Sequence, residues 1–179
     1  MKKKILFTVI GAVVIFVWQF LSFALINLHK SSTSYTKAQD SILKAVESAH
    51  LENGMYLLGQ PDPSLPHAQR EAEYSKYANK PWAVMNYQKS MSMDMAMPMI
   101  RGFLVDLVIC WFLFWIFLQM KDPSLKNRMI LALSVGLIGF FFTPYTNFIW
   151  YKNPDIFAYF IDGLVPWSIL GFLGHKFAK

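Results

Sequence analysis

Four stretches of this sequence are long, apolar and nearly free of charge: Ile5–Leu28, Met99–Met120, Met129–Tyr145 and Ile156–Gly174. A helix needs about 20 mostly apolar residues to cross a hydrocarbon core of roughly 30 Å. The first two runs meet that length, and aromatic flanks extend the 17 and 19 residues of the other two. Lipid offers the backbone no hydrogen-bond partner, so such runs must be helical. The chain as a whole is poor in charge, at 16% against about 25% in an ordinary soluble domain. The expected fold is an all-α polytopic membrane protein, with four transmembrane helices and a small external α/β insertion between the first and second.

The expected organisation is a signal-anchor transmembrane helix over 1–28, an external (periplasmic) insertion over 29–98 and a three-helix transmembrane region over 99–179. Lys2, Lys3 and Lys4 precede the first run like the basic region of a secretory signal. The run spans 24 residues with no A-x-A site after it, which points to an uncleaved anchor. A net charge of +6 invites a nucleic-acid reading. The placement of the charges answers it. Lys2–Lys4, Lys121, Lys126, Arg128, Lys176 and Lys179 all fall on one side of a four-span topology, the cytoplasmic one by the positive-inside rule. The long insertion carries most of the other basic residues, balanced by its own acids. Both termini are therefore expected in the cytoplasm, in a multi-pass protein of the cell inner membrane. The expected surroundings are the lipid bilayer and a membrane or periplasmic protein partner, with no nucleic acid.

Within the insertion, "SSTSYTKAQDSILKAVESAHLENG" reads as a helix with a thin apolar stripe, stopped by Asn53-Gly54. "GMYLLGQ" and "WAVMNYQ" read as short strands that can pair antiparallel around a polar helix, "HAQREAEYSKYANK". Small residues in the third span (Ala132, Gly136, Gly139) and the fourth (Gly163, Gly171, Gly174) offer faces for close helix packing. Pro166 is expected to kink the fourth span, and the aromatic "WFLFWIF" of the second to face lipid.

Ionisable residues inside a membrane are functional candidates by default. Asp106 lies seven residues into the second run and Asp162 six residues beyond Ile156 in the fourth. At 1.5 Å per residue, both sit roughly 9–11 Å below the outer boundary. Gln19 and Tyr145 fall near the same depth and Arg101 near its top. Gln19, Arg101, Asp106, Tyr145 and Asp162 therefore make an expected intramembrane polar cluster, either an inter-helix hydrogen-bond cluster or a proton relay. Before the second span, Met91, Met93, Met95, Met97 and Met99 alternate in "SMSMDMAMPM". Thioethers are soft ligands that select Cu(I); methionine is also an adaptable filler for an interfacial segment. The single cysteine, Cys110, excludes an intrachain disulfide and a paired-thiol metal site. The sequence has no nucleophile motif and no glycine-rich phosphate loop, so neither an enzyme nor a cofactor is expected.

"VWQFLS" in the first span, the Gly54/Tyr56 stretch "GMYLLGQPD", and Pro144, Tyr145, Trp150, Tyr151, Pro154, Asp162, Trp167 and Gly171 near the end resemble the pattern of a group of small bacterial four-helix inner-membrane proteins with no established activity. The resemblance implies a topology and no mechanism; the alternating methionines are not part of that pattern. The leading functional expectation is a non-enzymatic accessory or scaffold component with an external partner-binding insertion. The alternative is a small transporter or proton-coupled channel using the intramembrane carboxylates, and a lesser one is Cu(I) handling by the methionine run.

Overall fold

The computed structural model describes residues 2–178 and divides into two compact units, Met1–Ser34 with Asp94–Lys179, and Tyr35–Met93. In the first unit, α1 (Lys2–Phe20) runs into a π-helical turn, Leu21–Leu25. α4 (Ala96–Leu118) follows the second unit. α5 (Leu125–Phe140) continues through a π turn at Phe141–Tyr145 into α6 (Thr146–Tyr151). α7 (Ile156–Asp162) and α8 (Val165–Phe177) close the chain. These join into four helices long and apolar enough to cross a membrane: Lys2–Leu25, Ala96–Leu118, Leu125–Tyr151 and Ile156–Phe177. Only 17–33% of each apolar window is buried inside the protein. Apolar surface on that scale facing outward is what lipid contact requires.

α1 packs on α4 and α8, and α5 packs on α8. The core gathers Phe7, Ala12, Ile15, Cys110, Leu113, Phe114, Phe117, Ala132 and Leu170. The aromatic run of α4 therefore divides: Leu113, Phe114 and Phe117 turn inward, and Trp111, Phe112 and Trp115 stay exposed. Uniform lipid exposure is corrected by the helical period, which sends residues three and four apart to one face. Lys4 lays its ammonium 3.4 Å from the Trp111 ring centroid.

Close crossings fall where side chains are absent. A Cβ on Gly136 would stand 2.3 Å from the Gly163 carbonyl oxygen, and one on Gly174 2.3 Å from the Phe117 ring. A Cβ on Gly11 would meet the Cys110 sulfur at 2.8 Å. Gly139 has nothing within 4 Å and takes no part in these crossings. Pro166 does not kink a continuous helix. α7 ends at Asp162 and a new helix begins at Val165, with proline in its first turn, where its missing N–H costs nothing. The π turn in the third span has a similar cause: Pro144 inside it cannot donate a ladder bond. Arg128, which the sequence places among the cytoplasmic loop charges, is 1% exposed in α5. Its guanidinium donates to the carbonyls of Gly174 at 2.6 Å and Ala178 at 2.7 Å. A cation on the open carbonyls of a helix C-terminus complements the helix dipole.

In the second unit, β1 (Gly54–Leu58) pairs antiparallel with β2 (Ala83–Tyr87), Tyr56 opposite Met85. α2 (Gln39–Ser48) precedes the ribbon and α3 (His67–Tyr74) lies between its strands in sequence. Lys89 closes the open end by an ion pair to Glu52 at 2.6 Å, and its backbone amide donates to the side-chain oxygen of Asn53. The turn after β1 is set by Asp62, whose carboxylate accepts the Ser64 amide at 2.8 Å. That bond holds its carboxyl below the ordinary value, so the turn is favoured at neutral pH and loses this support on acidification.

Candidate functional site

The first span ends in a way that doubles the chain back over itself. Asn27 takes the left-handed conformation at φ 55°, and the Leu28 amide donates to the Ser22 carbonyl at 2.8 Å. This is the pattern of a helix closed by an asparagine C-cap. The reversal carries His29 into the protein, where it is 4% exposed. The Phe23 ring stacks on it, centroids 3.8 Å apart, and Tyr159 meets its edge at 4.6 Å.

On the other side, the short connection before α7 holds two left-handed residues, Lys152 and Asp155. It delivers Asp155 to the same place with its side chain wholly buried. About two turns further on, the carboxylate of Asp162 collects three partners. Trp18 Nε1–H donates to Oδ1 at 2.9 Å and the Ser22 hydroxyl to the same oxygen at 2.7 Å. His29 Nε2 lies 2.8 Å from Oδ2. The other ring nitrogen, Nδ1, faces Asp155 Oδ2 at 3.8 Å. Ser31 donates its hydroxyl to the other oxygen of Asp155. Six side chains from the end of the first span and the start of the fourth thus form one network. The local π turn at Leu21–Leu25 lies within it, and such bulges recur where side chains must be re-aimed.

Asp106 belongs to a second, smaller site. It is 1% exposed, accepts one long bond from Gln19 Nε2 at 3.3 Å, and its other oxygen has no partner. Trp18 and Gln19 are consecutive on α1, so their side chains point about 100° apart. They therefore serve different carboxylates on different neighbours. No hydrogen bond joins Asp106 to Asp162 among the described residues. Arg101 is exposed, and no ion pair or hydrogen bond connects it to either acid. Tyr145 packs its ring on Phe140, Phe141 and Phe148. The five residues expected as one layer thus lie in four places: Gln19 with Asp106, and Asp162, Tyr145 and Arg101 each apart.

The five methionines of the alternating run are all at least 49% exposed. Met91 and Met93 lie in extended chain, Met95 caps α4, and Met97 and Met99 are inside it. Alternation onto one face therefore ends where the helix begins. Among the described residues, no group of three or more His, Cys, Asp or Glu side chains is placed to hold a metal ion.

His29, Trp18, Ser22 and Asp155 were not among the expected site residues. A trace of the site was in the sequence: Trp18, Ser22 and Asp162 all fall in the stretches that carry the resemblance given above, and the fold joins those three directly. His29 and Asp155 had no such signal, because two left-handed turns bring them in. The fold class is a helical bundle with four candidate membrane spans, tied at one end by a buried His–Asp network. Compared with family models, curated proteins and solved structures, the sequence matches none.

Proposed function

We propose that this is a non-enzymatic accessory protein of a bacterial inner membrane, with both termini in the cytoplasm and the unit Tyr35–Met93 outside, where it binds a partner protein. The observation that carries the reading is the burial of that unit. Of residues 35–93, Pro61 alone is buried. Ile42, Leu43, Met55, Leu58, Tyr74 and Trp82 are each between 46% and 66% exposed. A two-stranded ribbon with two short helices is marginal without something to pack on. This one carries the apolar residues of a core without assembling one, which suits a surface completed by another chain. Lysine placement supports the orientation: Lys2–Lys4 and Lys176 sit at the opposite ends of their spans from the insertion.

Solubilised in mild detergent, the full chain is expected to co-purify with a partner stoichiometrically. A variant with 35–93 replaced by a short Gly-Ser linker is expected to insert normally and to lose it. Recovery of this chain alone from both would count against the reading.

A second reading, a small proton-coupled transporter or channel, rests on Asp106. Its unpartnered oxygen has no structural use, and a buried acid of that kind in a membrane helix is a candidate proton carrier. On this reading Asp106→Asn abolishes a pH-driven flux in proteoliposomes at unchanged protein yield. An equal flux from the variant removes it.

A further inference from the structure

We infer that His29 and Asp155 together form a proton-binding site. Nε2 of His29 lies 2.8 Å from Oδ2 of Asp162, and an ionised carboxylate, which can only accept, requires Nε2 to carry the proton of that contact. Nδ1 and Asp155 Oδ2 face each other at 3.8 Å, within ion-pair range and beyond a hydrogen bond. Both atoms are buried, and neither has another hydrogen-bond partner. Without an additional proton, a ring lone pair confronts a carboxylate oxygen with both atoms buried, and two acceptors go unsatisfied at once. One proton, on Nδ1 or shared with Oδ2, satisfies both and places an imidazolium between two carboxylates. Leaving buried polar groups unpaired is unfavourable, so the geometry selects the proton-bound form.

The surroundings supply no competing charge. The first span and its π turn contribute Trp18, Ser22 and Phe23. α7 and the residue before it contribute Asp155, Tyr159 and Asp162. Lys30 and Lys152, the nearest cationic residues in sequence, are both exposed. Ser31 holds the far oxygen of Asp155 and leaves Oδ2 aimed at the ring. The bound proton links the turn after the first span to the loop before the fourth. Its loss removes the attraction between them and leaves the Asp162 bonds to Trp18 and Ser22 as the remaining tie.

The test is the proton count at this site in the full chain, reconstituted in lipid nanodiscs at pH 7. Histidine is labelled with 15N and aspartate with 13C at the carboxyl, and His29→Gln and Asp155→Asn assign the signals. Expected is one proton beyond that on Nε2: a second ring N–H on His29, or a protonated Asp155 carboxyl. In Asp155→Asn the side-chain amide can donate to Nδ1, so the ring is expected to fall to a single N–H. Asparagine tolerates the left-handed backbone at this position. Ser31→Ala is expected to retain the proton. A singly protonated His29 beside an ionised Asp155 in the wild-type chain would overturn the inference, whatever the variants do.

Discussion

Asp162→Leu is expected to lower the stability of the bundle by about 3–5 kcal/mol, because it leaves buried donors without their acceptor at about 1–3 kcal/mol each. The change strips the acceptor from Trp18 Nε1–H, the Ser22 hydroxyl and His29 Nε2 together, at three contacts between 2.7 and 2.9 Å. Ser22 is wholly buried and His29 nearly so, so neither can turn to water. The losses do not add in full, because the first span can shift to relieve them jointly. Asp162→Asn separates charge from hydrogen bonding. Its carbonyl oxygen can still accept from Trp18 and Ser22, while its amide group meets His29 without a negative charge. It should fall between the wild type and the leucine variant. Unfolding midpoints in a mixed-micelle SDS titration would rank the three. A leucine variant as stable as the wild type would show that the network does not hold the spans together.

Gly136→Ala should be the most damaging single methyl in the molecule, at about 3 kcal/mol or more, the upper end for overpacking. The added carbon would lie 2.3 Å from the Gly163 carbonyl oxygen and 2.5 Å from the Trp167 ring. A side chain can rotate away, but the carbonyl belongs to the backbone joining α7 to α8. Relief therefore requires α5 to move off both helices. Gly139→Ala is the control, because open space surrounds that position. Thermal stability in detergent, read as the surviving monodisperse fraction, should fall sharply for Gly136→Ala and stay unchanged for Gly139→Ala. Equal behaviour of the two would mean that the α5 crossing is looser than the structure has it.

These two glycines show where sequence reasoning reached its limit. Both lie in one apolar run, and both looked like members of a packing face. Gly136 lies with Ala132 and Phe140, four residues to either side, on the buried ridge of α5, and Gly139, about 60° round the helix from it, faces outward. Arg128 shows the same limit with charge. Its place beside Lys126 at the edge of a span reads as a topological signal. The fold buries it and spends its donors on the end of α8. Spacing along the two apolar runs gives Asp106 and Asp162 one expected depth. Whether two residues at one depth meet depends on their angles around separate helices, and no linear count contains those angles.

The unbroken apolar runs determined the four spans. Each backbone in lipid must satisfy its own hydrogen bonds, so length and hydropathy leave the helix as the only solution. Alternating residues and turn signals likewise determined the small ribbon of the second unit, through local chain geometry. The site was decided by tertiary structure. His29 enters it through a left-handed turn at Asn27, and Asp155 through another in its own backbone. Only the packing of the first span against the fourth brings them within reach of Asp162. Local pattern encodes which solvent a segment prefers; pairing between segments far apart in sequence is settled by the relative rotation of packed helices.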